Sequence, residues 1–369
     1  MSTDLGRALP QALGTSPGRE PSFRSRFESL GLHLPAQRQT SRDLIDSCRH
    51  RVRIDLERLT GIRERRICGE GEDSYTLAVD AAFDCLEHSR HEARDLEMVV
   101  SCSITRYKGA DVFSFEPPLS HAIKEAIGAS QALNFDVSNA CAGMLTGVAI
   151  LDDFIRRGVV RCGMVVSGEK ISSISQNATR AVRTILSSQL ASLTVGDAGS
   201  AVILERAENG SRGIEAIEFA TYAEHDQLCI GKACATAPGA TMKTNPRKLH
   251  DVAIKAAVPS LAKALERCDL SLDEIDHLVP HQTSVRAIRA GQKHVQQELG
   301  VMAKNVIVNL DALGNTASTT HFVALYKQLQ EGNLAPGERV VLICYASGLV
   351  VGSLIFSVDE LVEGYGHDH

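Results

Sequence analysis

Residues 133–143 read LNFDVSNACAG, and this stretch decides how the rest of the chain is interpreted. Its apolar start passes into small residues, and the following MLTGVAILDDFIRR has apolar positions at helical spacing. The pattern predicts a buried strand that turns sharply into a helix. Cys141 then lies beside the helix N-terminus, where unpaired N–H groups and the helix dipole favour a thiolate. Most unpaired cysteines are small core residues, so this stretch alone leaves both interpretations open.

Two further motifs favour a reactive cysteine. His281 lies in LVPHQTS and Asn315 lies in NLDALGNTAS. Each has a simpler alternative, since a lone histidine is usually a satisfied core residue and an asparagine is common in a turn before a helix. A cysteine, a histidine and an asparagine in three separate motifs nevertheless form a candidate catalytic set.

The other histidines have no comparable motif around them. Those on predicted helices or at element edges are interpreted as surface or structural residues: His121, His277, His294 and His321.

The second half of the chain repeats the first. VIVNLDALGNTASTTHFVALYKQLQEG matches LNFDVSNACAGMLTGVAILDDFIRRG in pattern, and 17 residues separate Cys141 from Gly158 and Asn315 from Gly332. A helix before IDHLVPHQTS likewise mirrors the helix before LEMVVSCSI. Two copies of one strand–helix–strand unit predict a duplicated α/β fold, with Cys141 and Asn315 facing each other across a pseudo-twofold axis.

This repeat divides the chain into three parts. Residues 1–22 are rich in Gly, Pro, Ser and Arg without periodicity, which predicts a disordered N-terminal extension. Residues 23–206 form the half with Cys141, and residues 207–369 form the second half with a short C-terminal tail. Within that half, residues 222–247 are polar and poorly periodic, which predicts a long loop that is either a binding wall or a mobile surface segment.

Composition excludes several function classes. The 369 residues are 44% hydrophobic, enough for a large core, and the net charge of −6 gives no reason to expect nucleic acid or an anionic membrane. No apolar run approaches the roughly 20 residues that span a bilayer, and no secretory signal opens the chain. The ten cysteines are scattered, which favours a reducing cytoplasm over a disulfide framework. Cys229 and Cys234 lack further ligands for zinc, so we expect a metal-free protein.

The motifs resemble those of a known family. NACAG, VPHQ, LGNTAS and the closing SGLVVGS, with LTGIRERRI and VGDAGSAVIL, are similar to the thiolase superfamily, specifically to enzymes like β-ketoacyl-acyl-carrier-protein synthase III. The resemblance covers residues 27–356. It implies an α/β fold, the thiolase-like duplicated α-β-α-β-α five-layered sandwich with a pseudo-twofold internal repeat.

The resemblance also implies how the first acyl group is bound. Cys141 matches the nucleophile that takes an acyl group from a thioester, and its N–H matches one donor of the oxyanion hole. The second donor would be the N–H of Ser347 or Gly348. The family usually has three glycines at residues 346–348, where this chain has Ala-Ser-Gly, so the second donor departs from the family pattern.

The second half supplies the matching partners. His281 and Asn315 match the pair that binds the carbonyl oxygen of the second thioester and stabilises its enolate. The coenzyme A cleft of the family is often marked by a Trp and an Arg near the LTGI motif, whereas this chain has no Trp and carries Leu59 in place of the Arg. The donor is therefore either coenzyme A held in another way or a carrier protein.

A glutamate ahead of the cysteine indicates the source of the carbanion. Glu116, in FSFEPPLSHAI, precedes Cys141 by 25 residues. It looks like the base with which the olefin-pathway condensing thiolases remove an α-proton, and which reaches the site from the partner subunit. The alternative is an exposed loop carboxylate.

The sequence thus predicts a cofactor-free, homodimeric condensing enzyme of lipid or polyketide biosynthesis. Cys141 is acylated by an acyl-CoA or acyl-carrier-protein thioester, and Claisen condensation with a second thioester-bound chain gives a β-keto product. Three alternatives remain: a decarboxylating synthase III that uses a malonyl-carrier protein, an acyltransferase of the same fold, and a non-catalytic heterodimer partner.

Overall fold

Two five-stranded sheets organise the part of the chain that the structure, a computed structural model, describes: residues 23–207 and 212–365. The predicted extension at residues 1–22 lies outside the described residues. The strands of the described residues are β1 (Ser25–His33), β2 (Arg38–Thr40), β3 (Glu64–Arg66), β4 (Met98–Ser101), β5 (Leu133–Asp136), β6 (Cys162–Glu169), β7 (Ala198–Arg206), β8 (Ile214–Thr221), β9 (Cys229–Ala233), β10 (Ala240–Thr244), β11 (His277–Pro280), β12 (Asn305–Val306), β13 (Arg339–Ala346) and β14 (Val350–Ser357).

Helices cover both sheets. They are α1 (Ser41–Asp46), α2 (Leu56–Thr60), α3 (Ser74–Glu87), α4 (Leu119–Ile127), α5 (Gly143–Arg156), α6 (Ser172–Thr179), α7 (Pro246–Cys268), α8 (Val285–Leu299), α9 (Leu310–Leu313) and α10 (Thr320–Gln330). None of the helices in the described residues is both long and apolar enough to cross a bilayer.

The two sheets have the same topology. The first has the order β1-β7-β6-β4-β5 and the second has the order β8-β14-β13-β11-β12. In each sheet the last three strands run parallel and the first two pair antiparallel. Strand order and direction therefore confirm the duplicated fold that the sequence repeat predicts.

The sheets and helices form five layers. Helices α5 and α10 lie between the sheets, in one apolar core that joins residues such as Val202 of the first sheet to Leu342 of the second. Helices α3 and α4 cover the outer face of the first sheet, and α7 covers that of the second with α8 packed beside it. Helix α3 lies so close to its sheet that a side chain at Gly31 or Gly199 would collide with the backbone of the helix.

The register of the repeat differs from the one that glycine spacing suggests. A 3₁₀ turn precedes each central helix, Ala140–Ala142 before α5 and Ala317–Thr319 before α10. Both turns begin at a residue with positive φ, 44° at Ala140 and 57° at Ala317. The backbone counterpart of Cys141 is therefore Ser318 rather than Asn315. The equal spacings arose because α10 has 11 residues where α5 has 14, which offsets the glycines.

The predicted long loop at residues 222–247 is wrong. A 3₁₀ turn (Ala223–Leu228) leads into the antiparallel hairpin β9–β10, and α7 already begins at Pro246. The hairpin strands have five residues each and no apolar alternation, so their sequence resembles a loop.

Candidate active site

One cavity of about 1000 Å³ contains the three residues singled out from the sequence. Cys141, His281 and Asn315 all line it, although they come from three different turns. Its walls are mainly apolar and include Leu190 and Met242. Such a space suits an extended apolar chain that ends at a few polar groups.

The Cys141 turn is fixed by its neighbours. Strand β5 ends at Asp136, and the positive φ of Ala140 bends the backbone into the 3₁₀ turn before α5. The Asn139 amide donates to the Thr146 hydroxyl at 2.8 Å, which ties the loop to the first turn of the helix. A side chain at Gly143 would come within 2.9 Å of the Cys102 carbonyl oxygen, so the helix can start here only with glycine.

The protonation of Cys141 differs from the sequence-based expectation. Burial raises the pKa of its thiol, and the nearby Cys229 and Glu169 raise this pKa further. A hydrogen bond from its own backbone N–H lowers the pKa, but burial has the larger effect. The resting nucleophile is therefore a thiol, and its proton must leave as the substrate thioester is attacked.

His281 is held as a neutral imidazole. The backbone N–H of His281 donates to the Ile343 carbonyl at 2.9 Å, and the imidazole ring lies edge-on to Tyr345 with centroids 5.0 Å apart. Only 2% of the residue is exposed. Burial lowers the pKa of His281 well below its usual value, and the neighbouring His321 and His250 lower it further. A neutral imidazole can donate one hydrogen bond to a substrate oxygen.

Asn315 is clamped by the first half of the chain. Its backbone N–H donates to the Thr194 carbonyl at 2.9 Å, and its backbone carbonyl accepts from the Gly196 N–H at 3.0 Å. The side-chain oxygen accepts from the Ala317 N–H at 3.0 Å. Because the oxygen is used in this way, the amide N–H₂ is the end of the side chain left to donate into the cavity.

The proposed oxyanion-hole segment lies beside the nucleophile. Ala346, at the end of β13, and Ser347 line the cavity with Cys141. Gly348 follows in the turn to β14 with φ 139°, a conformation that L side chains rarely adopt. Cys229, a second cysteine, lines the same cavity as Ser347.

Glu116 lies outside this cavity in the single chain. It is exposed on the segment between β4 and α4, and is absent from the residues that line the cavity. Asp136 anchors the end of this segment by accepting from the Leu119 and Ser120 N–H groups at the start of α4.

The sequence motifs missed the residues that support the site. His321, interpreted above as surface or structural, is fully buried with its ring 5.7 Å from that of His281, and its Nε2–H donates to the Ile343 carbonyl at 2.9 Å. Tyr345 and Thr283 share a hydrogen bond of 2.8 Å in the same wall. The sequence repeat, which includes α10 and β13, was the signal that could have placed His321 and Tyr345 near the site.

Comparison with known proteins agrees with this geometry. Family models of 3-oxoacyl-[acyl-carrier-protein] synthase III match residues 135–223, and models of its C-terminal part match residues 265–358. The β-ketoacyl-[acyl-carrier-protein] synthase III of Oceanobacillus iheyensis is 28% identical over 88% of this chain and 96% of its own length.

Solved structures share the fold. The priming β-ketosynthase of the R1128 polyketide pathway superposes with a TM-score of 0.78 at 23% identity, covering 93% of this chain and 99% of its own. Xanthomonas campestris OleA, solved with lauric acid and lauroyl-CoA, superposes with a TM-score of 0.78 at 20% identity, covering 90% of this chain and 99% of its own.

Fold and matches together define an acyl-transferring condensing enzyme of the thiolase superfamily. Within that superfamily, the chain is similar in its matched segments to 3-oxoacyl-[acyl-carrier-protein] synthase III.

Proposed function

We propose that this enzyme joins two thioester-bound acyl chains head to head, with Cys141 as the nucleophile and Glu116 as the base. The carrying observation is that Cys141, His281 and Asn315 line one largely apolar cavity of about 1000 Å³. A cavity of this kind can hold a covalently bound acyl chain beside a second chain.

The first half-reaction acylates Cys141. Its sulfur attacks the thioester carbonyl as the thiol proton leaves, and the departing thiol of coenzyme A or a carrier protein takes up a proton. The carbonyl oxygen carries the negative charge of the tetrahedral intermediate. The N–H groups of Cys141 and of Ser347 or Gly348 are the proposed donors to that oxygen.

The second half-reaction forms the carbon–carbon bond. Loss of an α-proton from the second thioester gives an enolate, whose carbon attacks the acyl group on Cys141 and releases the cysteine. His281 and Asn315 are the proposed donors to the enolate oxygen. Both suit this role because the lowered pKa of His281 keeps it neutral, and because Asn315 has its amide oxygen occupied by Ala317.

The surroundings of Glu116 support its supply by a partner chain. Val112, Phe113 and Phe115 are all exposed on the same segment, Phe115 to 75%. Several large apolar side chains exposed together are typical of an interaction surface. Strand β5 also forms an unpaired edge of the first sheet. We propose a homodimer in which this segment reaches the cavity of the partner.

The lauroyl-CoA-bound OleA structure supports a long-chain thioester as substrate.

A decarboxylating synthase is the second candidate. The family models and the Oceanobacillus relative carry the name of 3-oxoacyl-[acyl-carrier-protein] synthase III, which favours it. In that reaction loss of CO₂ from a malonyl-carrier protein supplies the carbanion, and Glu116 is only a loop residue.

Product analysis distinguishes the two. The enzyme is incubated with a medium-chain acyl-CoA alone and then with malonyl-carrier protein added, and products are followed by mass spectrometry. We expect a β-keto product from acyl-CoA alone, which Glu116→Ala abolishes while Cys141 is still acylated. Product only with the malonyl partner, unchanged by Glu116→Ala, would establish the decarboxylating reaction instead.

The proposed chemistry needs no cofactor or metal, because the thioester supplies the activation. Acyl-CoA and acyl-carrier protein are its proposed partners, in fatty-acid or polyketide biosynthesis. All ten cysteines are free, which supports a reducing compartment such as the cytoplasm.

A further inference from the structure

A buried carboxylate lies behind the site and has no part in the proposed chemistry. Glu169, the last residue of β6, is 0% exposed. It accepts hydrogen bonds from the Ile104 N–H at 3.0 Å, the Ser167 hydroxyl at 3.1 Å and the Ser318 hydroxyl at 2.5 Å. These donors come from the loop after β4, from β6 itself and from the 3₁₀ turn before α10, so Glu169 joins both halves of the chain.

The Ser318 contact leads directly to Asn315. Ser318 follows Ala317, whose N–H holds the side-chain oxygen of Asn315 at 3.0 Å. It is also the backbone counterpart of Cys141 in the second half of the repeat. In the first half, this turn presents the nucleophile. In the second half, Glu169 holds the corresponding turn, and that turn orients Asn315.

The carboxyl group of Glu169 is held by hydrogen bonds rather than by an ion pair. Among the described residues no Lys, Arg or His forms an ion pair with it, and only hydrogen-bond donors surround its oxygens. Its negative charge raises the pKa of Cys141, which disfavours the thiolate. The hydrogen bond from Ser318 connects Glu169 to the later step, where Asn315 binds the enolate.

We propose that Glu169 is a positioning residue for condensation, acting through Ser318 to hold the turn that aims the Asn315 amide at the second thioester. The inference rests on the enolate-binding role proposed for Asn315. It separates the two half-reactions: loss of the hydrogen bond between Glu169 and Ser318 slows condensation and leaves acylation of Cys141 intact.

The test measures the half-reactions separately in the full-length enzyme. Acylation is followed by intact mass after mixing with acyl-CoA, and condensation is followed by β-keto product from enzyme that is already acylated. Glu169→Leu, which removes the acceptor, should acylate as fast as wild type, while its condensation falls by on the order of 10²-fold, the effect of a misplacement of about 1 Å. Ser318→Ala, which keeps the charge, should lose condensation with unchanged acylation.

Two further variants make the result specific. If Glu169 acts through Ser318, the double variant Glu169→Leu/Ser318→Ala should condense no more slowly than Glu169→Leu alone. Asp152→Asn is the matched control, because Asp152 is also buried and accepts a serine hydroxyl, that of Ser25 at 2.6 Å, but does not line the cavity. It should leave both half-reactions unchanged.

Equal losses in both half-reactions, or additive losses in the double variant, would overturn the inference. If Glu169→Leu does not fold, Ser318→Ala carries the test by the same criterion. The Asn315→Ala variant separates this inference from the proposed function. Wild type that condenses, with Asn315→Ala inactive and Ser318→Ala normal, overturns only the role of Glu169. If wild type does not condense, or if Asn315→Ala condenses normally, both the role of Glu169 and the proposed function are overturned.

Discussion

His281 shows how burial sets the chemistry of a single residue. It is enclosed by Tyr345 and His321, and its Nδ1 has no hydrogen-bond partner among the described residues. Removing an imidazolium from water without a carboxylate beside it is unfavourable, so the neutral form is retained at neutral pH. The same burial lowers the pKa of His321 to about 4.

The protonation of His281 is directly measurable. We expect its imidazole not to titrate between pH 8 and 6, because its pKa is held well below 6.5. Nitrogen-15 NMR of histidine-labelled enzyme, with the signal assigned by its loss in His281→Gln, gives the pKa. A titration midpoint near 6.5 would contradict the account.

The raised pKa of Glu169 predicts that the free energy of unfolding depends on pH. Burial raises its pKa from 4.5 to about 7, so the folded state holds the proton more tightly than the unfolded state. Its contribution is fully present below pH 4.5 and is lost as the pH rises through 7, a change on the order of 3 kcal/mol.

We therefore expect the free energy of unfolding of wild type, relative to Glu169→Gln, to fall between pH 4.5 and 8. Urea unfolding of both proteins across this range measures the difference. A difference that is constant with pH would show that Glu169 titrates normally.

At the scale of elements, the β9–β10 hairpin forms one wall of the cavity. Met242 of β10 lines the cavity, while Lys243, on the opposite face of the same strand, is exposed. Met242→Trp should shorten the space available to an acyl chain. We expect acylation by a long-chain acyl-CoA to slow by about tenfold or more while a short chain is unaffected.

The matched control for this change is Lys243→Trp, which adds the same side chain outside the cavity. Rates of Cys141 acylation across a series of acyl-CoA chain lengths measure the effect. Equal slowing at all lengths in Met242→Trp would mean that the hairpin does not limit chain length.

The hairpin also shows where sequence-based prediction stops. The strands and helices around Cys141 and its repeat were predictable, because each has apolar residues at the period of its element. The β9–β10 strands have no such pattern, because they are short and most of their residues are partly or fully exposed. The burial of Glu169 was equally hidden, because its donors at residues 104, 167 and 318 converge only in the folded chain.

The predicted alignment of the two halves of the repeat was wrong for a related reason. Equal spacing to a glycine equated Cys141 with Asn315, but the glycine follows helices of different length. The positive φ angles at Ala140 and Ala317 give the true correspondence, and no side-chain pattern encodes them. The thiolate predicted for Cys141 also failed, because the helix N-terminus was weighed without the burial that opposes it.

At the scale of the whole molecule, the site is proposed to be complete only in a dimer. Mixing Cys141→Ala with Glu116→Ala subunits tests this by complementation. In a mixed dimer, the Cys141→Ala chain supplies Glu116 to the intact cysteine of its partner. After unfolding and reassembly in equal amounts, about a quarter of wild-type activity is expected, since about half of the dimers are mixed and each has one complete site.

The controls are each variant reassembled alone, which should stay inactive in condensation. No activity in the mixture, with dimers confirmed by light scattering, would mean that Glu116 does not act in the partner's site.

The central claim, α-proton removal from an ordinary acyl thioester, is tested most directly by deuterium. Enzyme acylated on Cys141 is mixed with acyl-CoA carrying two deuterium atoms at the α-carbon, and β-keto product is followed by mass spectrometry. The account predicts product that has lost deuterium and forms more slowly than from unlabelled acyl-CoA, with no product in Glu116→Ala. Product that appears only when malonyl-carrier protein is added, at a rate independent of the label, would contradict it.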